Sequence, residues 1–241
     1  KDVRTMGGTK VLMKHIPSFD STVVQNLYSA GAIILGKLNL TEGAMAGYNP
    51  NFQVPTNPWG ANLWSGASSS GSGVATAAGL CYGSLGSDTG GSIRFPSAAC
   101  GVVGIKPTWG RVSRYGVLAL AESLDHIGPM TRSVRDAGLM LHAIAGFDPN
   151  DPTSLSNPVP NMLEGIENGI KGLRIGLDEN YISEGTDPQV TASVLDGIKL
   201  LESLGALIVP IKMPPTSDYM EAWAVLCASE ALVAHEETYL S

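Results

Sequence analysis

Charged side chains are scarce in this sequence. Asp, Glu, Lys and Arg make up 15% of its 241 residues, well below the roughly 25% of an ordinary globular domain. Residues 43 to 87 contain none at all. A charge-free run of that length raises the question of a membrane span, but Ser, Gly, Asn and Pro fill it. No apolar stretch reaches the ~20 residues that a spanning helix needs, which excludes a transmembrane segment. Basic residues are scarcer than acidic ones, 15 against 22 for a net charge of −7. No Lys/Arg cluster gathers to neutralise phosphates, which argues against nucleic acid as a partner. Cysteine is rare too. Cys81, Cys100 and Cys227 are too few, and odd in number, for a disulfide framework. Each lies among Ala, Gly, Leu or Val and reads as a small buried hydrophobe rather than a nucleophile.

Glycine, by contrast, is abundant: 29 residues, where average usage gives roughly 17. At 44% hydrophobic the chain is apolar and long enough to bury a core. Apolar spacing predicts helices over 22–30, 72–82, 134–145, 188–204 and 217–239, with Ser21 or Asp20 and Ser133 as N-caps. Short apolar runs predict buried strands at 32–35, 102–105, 173–177 and 207–211. Helices alternating with such strands imply an α/β fold, a central mixed sheet covered on both faces. Residues 149–160 read as a polar, proline-rich connection, and no internal repeat is present. The chain starts at Lys1 without a methionine and stops inside a helical pattern, so a piece of a longer protein is expected. No signal segment precedes the domain, which makes the cytoplasm the expected location.

Several familiar motifs are incomplete. Gly31 to Lys37 matches most of a phosphate-binding P-loop, but Leu38 follows where Ser or Thr would hold Mg²⁺, and the intervening residues read as a strand. No G-x-S-x-G elbow and no S-x-x-K occurs. The four histidines, His15, His126, His142 and His235, lack zinc-ligand spacing. His142 sits among apolar helix neighbours, and His126 is the only histidine beside Ser- and Gly-rich sequence that offers a candidate base.

The informative segment runs from Trp64 to Pro96. Thr89-Gly90-Gly91-Ser92 can turn successive backbone N–H groups toward one point, because glycine admits positive φ and lets a ligand approach closely. Such a nest suits an anion or a developing oxyanion, and Ser92 at its end is placed as a nucleophile. Asp88 and Arg94 flank the turn and can pin it by a charge-assisted pair. Composition alone would fit a Gly/Ser loop that merely reverses the chain.

Order and spacing say more. Gly66-Ala67-Ser68-Ser69-Ser70-Gly71-Ser72, followed by Gly86-Ser87-Asp88-Thr89-Gly90-Gly91-Ser92-Ile93-Arg94, resembles the marker of the amidase signature family. Ser92 follows Ser68 by 24 positions (92 − 68), the spacing of that family. The resemblance continues through Cys100 to Thr108, Gly110 to Ser113 and Leu124 to Arg132, and is dense from about residue 18 to residue 145. Ala67, Ser70 and Ser87 depart from the family pattern conservatively.

The resemblance implies an amidohydrolase with a Ser–cis-Ser–Lys triad and one amidase signature domain over 1–241, its C-terminal part lying outside this chain. Ser92 is similar to the acylated nucleophile, and Ser68 to the bridging serine that follows a cis peptide at Ala67–Ser68. The oxyanion hole would be the amides of Thr89, Gly90, Gly91 and Ser92, with Ser69, Asp88 and Arg94 in support. Lys1, in Lys1-Asp2, resembles the catalytic lysine. It lies closer to the Val3–Gly8 segment than the family pattern has it, by about six residues. The competing reading makes Lys1 an ordinary first residue. No metal or organic cofactor is implied.

The loop over 44–58 would help shape the acyl pocket, with Met45, Tyr48 and Phe52 as candidate lining. Phe95 stands where glutamine-processing amidotransferase subunits usually carry Gln, which favours a stand-alone enzyme acting on aryl or alkyl amides, esters or carbamates. Arg111-Val112-Ser113-Arg114-Tyr115-Gly116 resembles the A subunit of aminoacyl-tRNA amidotransferases and supports that alternative. A binding homologue without activity is the alternative of a different class. The expected partners are a small-molecule amide substrate and a second copy of the chain. Nucleic acid is expected only under the amidotransferase alternative.

Overall fold

In the computed structural model, which describes residues 1–45 and 47–239, the chain runs through thirteen α and β elements. They are α1 (Thr22–Ser29), α2 (Ser70–Ala77), β1 (Gly83–Asp88), α3 (Arg94–Cys100), β2 (Val103–Gly104), β3 (His126–Thr131) and α4 (Val134–Ile144), then β4 (Arg174–Leu177), α5 (Glu179–Ser183), α6 (Pro188–Ser203), β5 (Leu207–Pro210), α7 (Ser217–Ala234) and α8 (Glu236–Tyr239). By contacts the described residues divide into two units, Lys1–Leu163 with those from Ala222 onward, and Glu164–Glu221.

The first unit is organised by β3. It pairs antiparallel with β1 over six residues, from Gly83↔Thr131 to Asp88↔His126, and its other edge takes β2 at Val103↔Thr131 and Gly104↔Met130. Ile127 on β3 joins Val23 and Leu27 of α1, Val112, and Leu141 and Ile144 of α4 in one buried apolar cluster. Helix α4 starts where Ser133 accepts the Asp136 amide, an N-cap satisfying an otherwise orphaned donor. At Gly128 the fit is extreme: an added Cβ would stand 2.0 Å from the Ile105 carbonyl oxygen.

The charge-free run becomes a buried polar seam. Ser72 donates to the Leu85 carbonyl (2.8 Å), Ser84 donates to the Ser72 carbonyl (3.1 Å), and the Thr76 and Ser84 hydroxyls meet at 2.8 Å. Each small side chain lets α2 lie close on β1 while its hydroxyl satisfies a backbone acceptor.

The second unit pairs β4 with β5 in parallel, Arg174↔Leu207 to Leu177↔Pro210. Helix α6 provides the crossover that parallel neighbours require. Asp187 caps it by accepting the Gln189 amide at 2.8 Å, with Pro188 in the first turn.

The α/β class is as expected, while the strands divide into a three-stranded antiparallel sheet and a two-stranded parallel one. The buried strand expected at 32–35 is a correction. That segment pairs with no strand among the described residues; Ala32 and Ile34 pack on the core, whereas Ile33 and Leu35 are 86% and 74% exposed. The continuous apolar run conceals an alternation, because both faces carry apolar residues. Helix α2 spans Ser70–Ala77 rather than 72–82, ending before the exposed Leu80 and Tyr82. No helix among the described residues is long and apolar enough to cross a membrane.

Replacing Gly128 by Ala is expected to destabilise the protein by about 1–3 kcal/mol or more, because backbone must move. Gly197, exposed within α6 with nothing within 4 Å of an added Cβ, should gain roughly 0.5–1 kcal/mol on the same change. Urea midpoints moving in these opposite directions would confirm both.

Candidate active site

Strand β1 ends at Asp88, and its carboxylate organises the turn that follows. It is fully buried at 0% exposure, against 55% for Arg94. Oδ1 accepts the Gly91 amide (2.7 Å) and Arg94 Nη2 (2.9 Å). Oδ2 accepts Arg94 Nε (3.0 Å) and the amides of Ile93 (3.1 Å) and Arg94 (3.3 Å). The expected Asp88–Arg94 pair is therefore a two-pronged ion pair with backbone donors added. Gly91 at φ 129° lets the chain double back here, and the Phe95 amide closes the turn on the Gly91 carbonyl at 2.7 Å.

This arrangement alters one expectation. The Gly91 amide is committed to Asp88, so it does not belong with the amides open to a ligand. Those of Thr89, Gly90 and Ser92 have no acceptor among the described residues.

The two serine segments are tied together. The Ser69 amide donates to the Ser92 carbonyl at 3.3 Å, while the Ser69 hydroxyl accepts the Ser87 amide (3.2 Å) and faces its carbonyl (3.3 Å). Ser69 is thus a structural bridge between α2 and β1. The Ala67–Ser68 peptide is cis. The Ser68 carbonyl accepts the amides of Ser70 (2.9 Å) and Thr41 (3.3 Å), yet its buried hydroxyl has no hydrogen-bond partner among the described residues. Ser92 is half-buried.

Lys1 is not brought to Ser68. Its main-chain ammonium pairs with Asp20, its side chain is 57% exposed, and the Asp2 amide donates to the Pro17 carbonyl at 3.0 Å. These two contacts hold this end of the chain beside residues 17–20. Of the candidate pocket residues, Met45 and Tyr48 line a cavity of about 390 Å³ together with Glu42 and His235. The Tyr48 hydroxyl reaches the Gly66 carbonyl at 3.5 Å. Phe52 is half-buried and does not line that cavity; Ala46, in the same expected loop, lies outside the described residues.

His126 is occupied by structure. Its Nδ1 contacts the Asp88 carbonyl at 3.1 Å, and burial, with the Lys106 charge, keeps the ring's pKa below the ordinary histidine value despite that contact. Two residues outside the sequence motifs' candidate set touch the loop directly. Asp125 accepts the Thr89 hydroxyl at 2.5 Å, and the Trp223 indole donates to the Thr89 carbonyl at 2.9 Å. The Leu124–Arg132 segment carries a family resemblance that could have flagged Asp125. Trp223, 134 residues from Thr89 in sequence, has no local signal.

The family model for amidases matches residues 1–239. The chain belongs to the amidase family. It is 48% identical over 238 residues to the putative amidase AmiD of Mycobacterium tuberculosis, covering 99% of this chain and 50% of that protein. Among solved structures it superposes on the A subunit of glutamyl-tRNA(Gln) amidotransferase from Thermotoga maritima with a TM-score of 0.91 at 39% identity, covering 96% of this chain and 51% of that one. Peptide amidase of Stenotrophomonas maltophilia gives a TM-score of 0.87 at 34% identity, covering 98% and 50%. The chain spans about half the length of the curated relatives it matches.

In this amidase chain the Asp88 carboxyl titrates below the usual aspartate range. Burial alone would raise it, but the Arg94 hydrogen bonds, the Ile93 and Gly91 amides and the Arg94 charge outweigh burial. A folded-state pKa depressed below the unfolded value means that the carboxylate stabilises the fold above the ordinary value near ~3.9. That contribution is lost as pH falls through the lowered folded value. The urea midpoint of the wild type should fall steeply below about pH 4, and Asp88→Asn should flatten that slope.

Proposed function

We propose that this chain carries the reacting centre of an amidohydrolase in which Ser92 is the nucleophile. The observation that carries the reading is the buried Ser68 hydroxyl, which has no partner among the described residues and lies one residue from the Ser69–Ser92 tie. Leaving such a group unsatisfied costs about 1–3 kcal/mol, a cost that a proton-relay position explains.

In this mechanism a neutral lysine amine takes the Ser68 hydroxyl proton while Ser68 takes that of Ser92. Ser92 Oγ bonds to the amide carbonyl carbon, and the resulting oxyanion is met by the amides of Thr89, Gly90 and Ser92. Ser68 then returns a proton to the nitrogen as the C–N bond breaks. Water cleaves the acyl ester, releasing the acid and regenerating Ser92. Asp88 and Arg94 hold the loop, and Ser69 holds α2 against it. Lys1 is the base that the Lys1-Asp2 resemblance nominates, and its approach to Ser68 requires the segment tied to Pro17 and Asp20 to shift. The two units together would form the N-terminal and central part of one amidase signature domain.

The substrate class proposed is a carboxylic amide with an aryl or alkyl acyl group. Phe95, 52% exposed beside the loop with its ring 6.1 Å from that of Trp64, supports an apolar substrate. The second reading, the A subunit of a glutamine-dependent amidotransferase, draws on the Arg111–Gly116 segment and on the structural likeness to the Thermotoga maritima protein.

Ser92→Ala is expected to abolish fluorophosphonate labelling and to lower amide hydrolysis by roughly three orders of magnitude or more, with unchanged circular dichroism. Labelling that persists in this variant would overturn the nucleophile assignment. Lys1→Ala should slow hydrolysis by roughly a hundredfold or more; a near-normal rate places the base elsewhere. Ammonia release should be faster from an aryl primary amide such as benzamide than from glutamine, and the reverse order favours the amidotransferase reading.

A further inference from the structure

Asp125 is a carboxylate buried to 7% exposure just before β3. Burying such a charge is costly unless donors surround it. Three do: the Thr89 hydroxyl at 2.5 Å on Oδ1, and the Leu120 (2.8 Å) and Ala121 (3.1 Å) amides on Oδ2. Its carboxylate is thereby fixed to the 118–125 segment by two backbone bonds and spends its other oxygen on Thr89.

Thr89 is gripped a second time. Its carbonyl accepts the Trp223 indole N–H at 2.9 Å, and the indole ring fills the space beside Gly90, where an added Cβ would come within 2.3 Å of Cζ2. The Thr89 carbonyl and the Gly90 N–H belong to one planar trans peptide and point in opposite directions. Anchoring the carbonyl on Trp223 therefore sends the Gly90 N–H to the side away from the indole. The Asp125 bond fixes the Cα–Cβ axis of Thr89 and so the other end of the same unit. The grip adds to the Asp88 cluster, which binds the amides of Gly91, Ile93 and Arg94 but leaves the Thr89–Gly90 peptide untouched.

We infer that Asp125 and Trp223 are positioning residues that lock the Thr89–Gly90 peptide, presenting the Gly90 N–H as a fixed donor for the oxyanion. The inference rests on the proposed role of Ser92 for its catalytic meaning, and on the two hydrogen bonds for its geometry.

The test uses the purified protein with Trp223→Phe, which keeps a ring and loses the donor, Asp125→Asn, Thr89→Val and Thr89→Ser. Two quantities are measured: the maximum rate and half-saturating concentration for fluorophosphonate labelling at Ser92, and hydrogen exchange of a peptide covering residues 85–92. Trp223→Phe and Thr89→Val should lower the maximum labelling rate by about tenfold to a hundredfold, less than the loss of a whole oxyanion donor. The half-saturating concentration should move less than about threefold, since the probe's ground state does not use the donor. Exchange in the peptide should quicken by about tenfold in both variants. Thr89→Ser, which restores the hydroxyl, should recover at least a tenfold part of the Thr89→Val loss. Asp125→Asn combined with Thr89→Val should be no slower than the worse single change, as expected for two ends of one contact. Wild-type labelling rates and exchange in Trp223→Phe and Thr89→Val would overturn the inference, as would a Thr89→Ser variant no better than Thr89→Val. If the wild type takes no label at Ser92, the nucleophile reading falls. Exchange alone then decides the lock: quickened in the variants it supports it, unchanged it refutes it. Should Asp125→Asn fail to fold, Trp223→Phe decides the same point.

Discussion

The turn between β1 and α3 depends on one buried carboxylate. Asp88 draws five donors onto two oxygens: three backbone amides from residues 91, 93 and 94, and two nitrogens of the Arg94 guanidinium. A fully buried charge in that position is stable only because every lone pair is used. The geometry works in both directions. Donors that satisfy Asp88 are drawn inward, and the amides of residues 89, 90 and 92 are the ones left over. The proposed oxyanion nest is what remains after Asp88 has taken its share.

The scarcity of charge around the site follows from the same economy. Side-chain charges near Ser92 would each need a partner, whereas backbone amides carry partial charges that the fold has already oriented. Serine and glycine supply the rest. Ser69, Ser72, Ser84 and Thr76 satisfy carbonyls and amides between α2 and β1, and the absence of larger side chains lets those elements meet. Ser68 departs from the rule, with a buried hydroxyl that no described residue answers. Its neighbours in the seam are bonded, and that contrast is what supports placing the proposed proton relay at Ser68.

Much of the site was legible along the chain because it is local. Asp88, Thr89, Ser92 and Arg94 lie within seven consecutive positions, and a turn built by near neighbours announces itself through the glycines that permit it. Helices α1, α4 and α6 were legible for the same reason, since their apolar residues recur within a few positions; the Ser133 cap of α4 forms as expected, whereas Ser21 makes no side-chain cap bond to α1. The strands that carry the site were not. β1 reads Gly-Ser-Leu-Gly-Ser-Asp and β3 reads His-Ile-Gly-Pro-Met-Thr, poor in the β-branched and aromatic residues that mark a strand. Their small residues answer close approach instead, as at Gly128 against Ile105.

By itself, then, the sequence determined the loop chemistry: which residue turns, which carboxylate anchors, and which serines stand 24 positions apart. The tertiary structure alone decided which groups are free to act. Only folding commits the Gly91 amide to Asp88, holds Lys1 beside Asp20, and brings Asp125 and Trp223 onto Thr89 from distant parts of the chain. The physical reason is that a hydrogen-bonding group has few valences, and which of them remain unspent depends on partners that spacing along a chain does not encode.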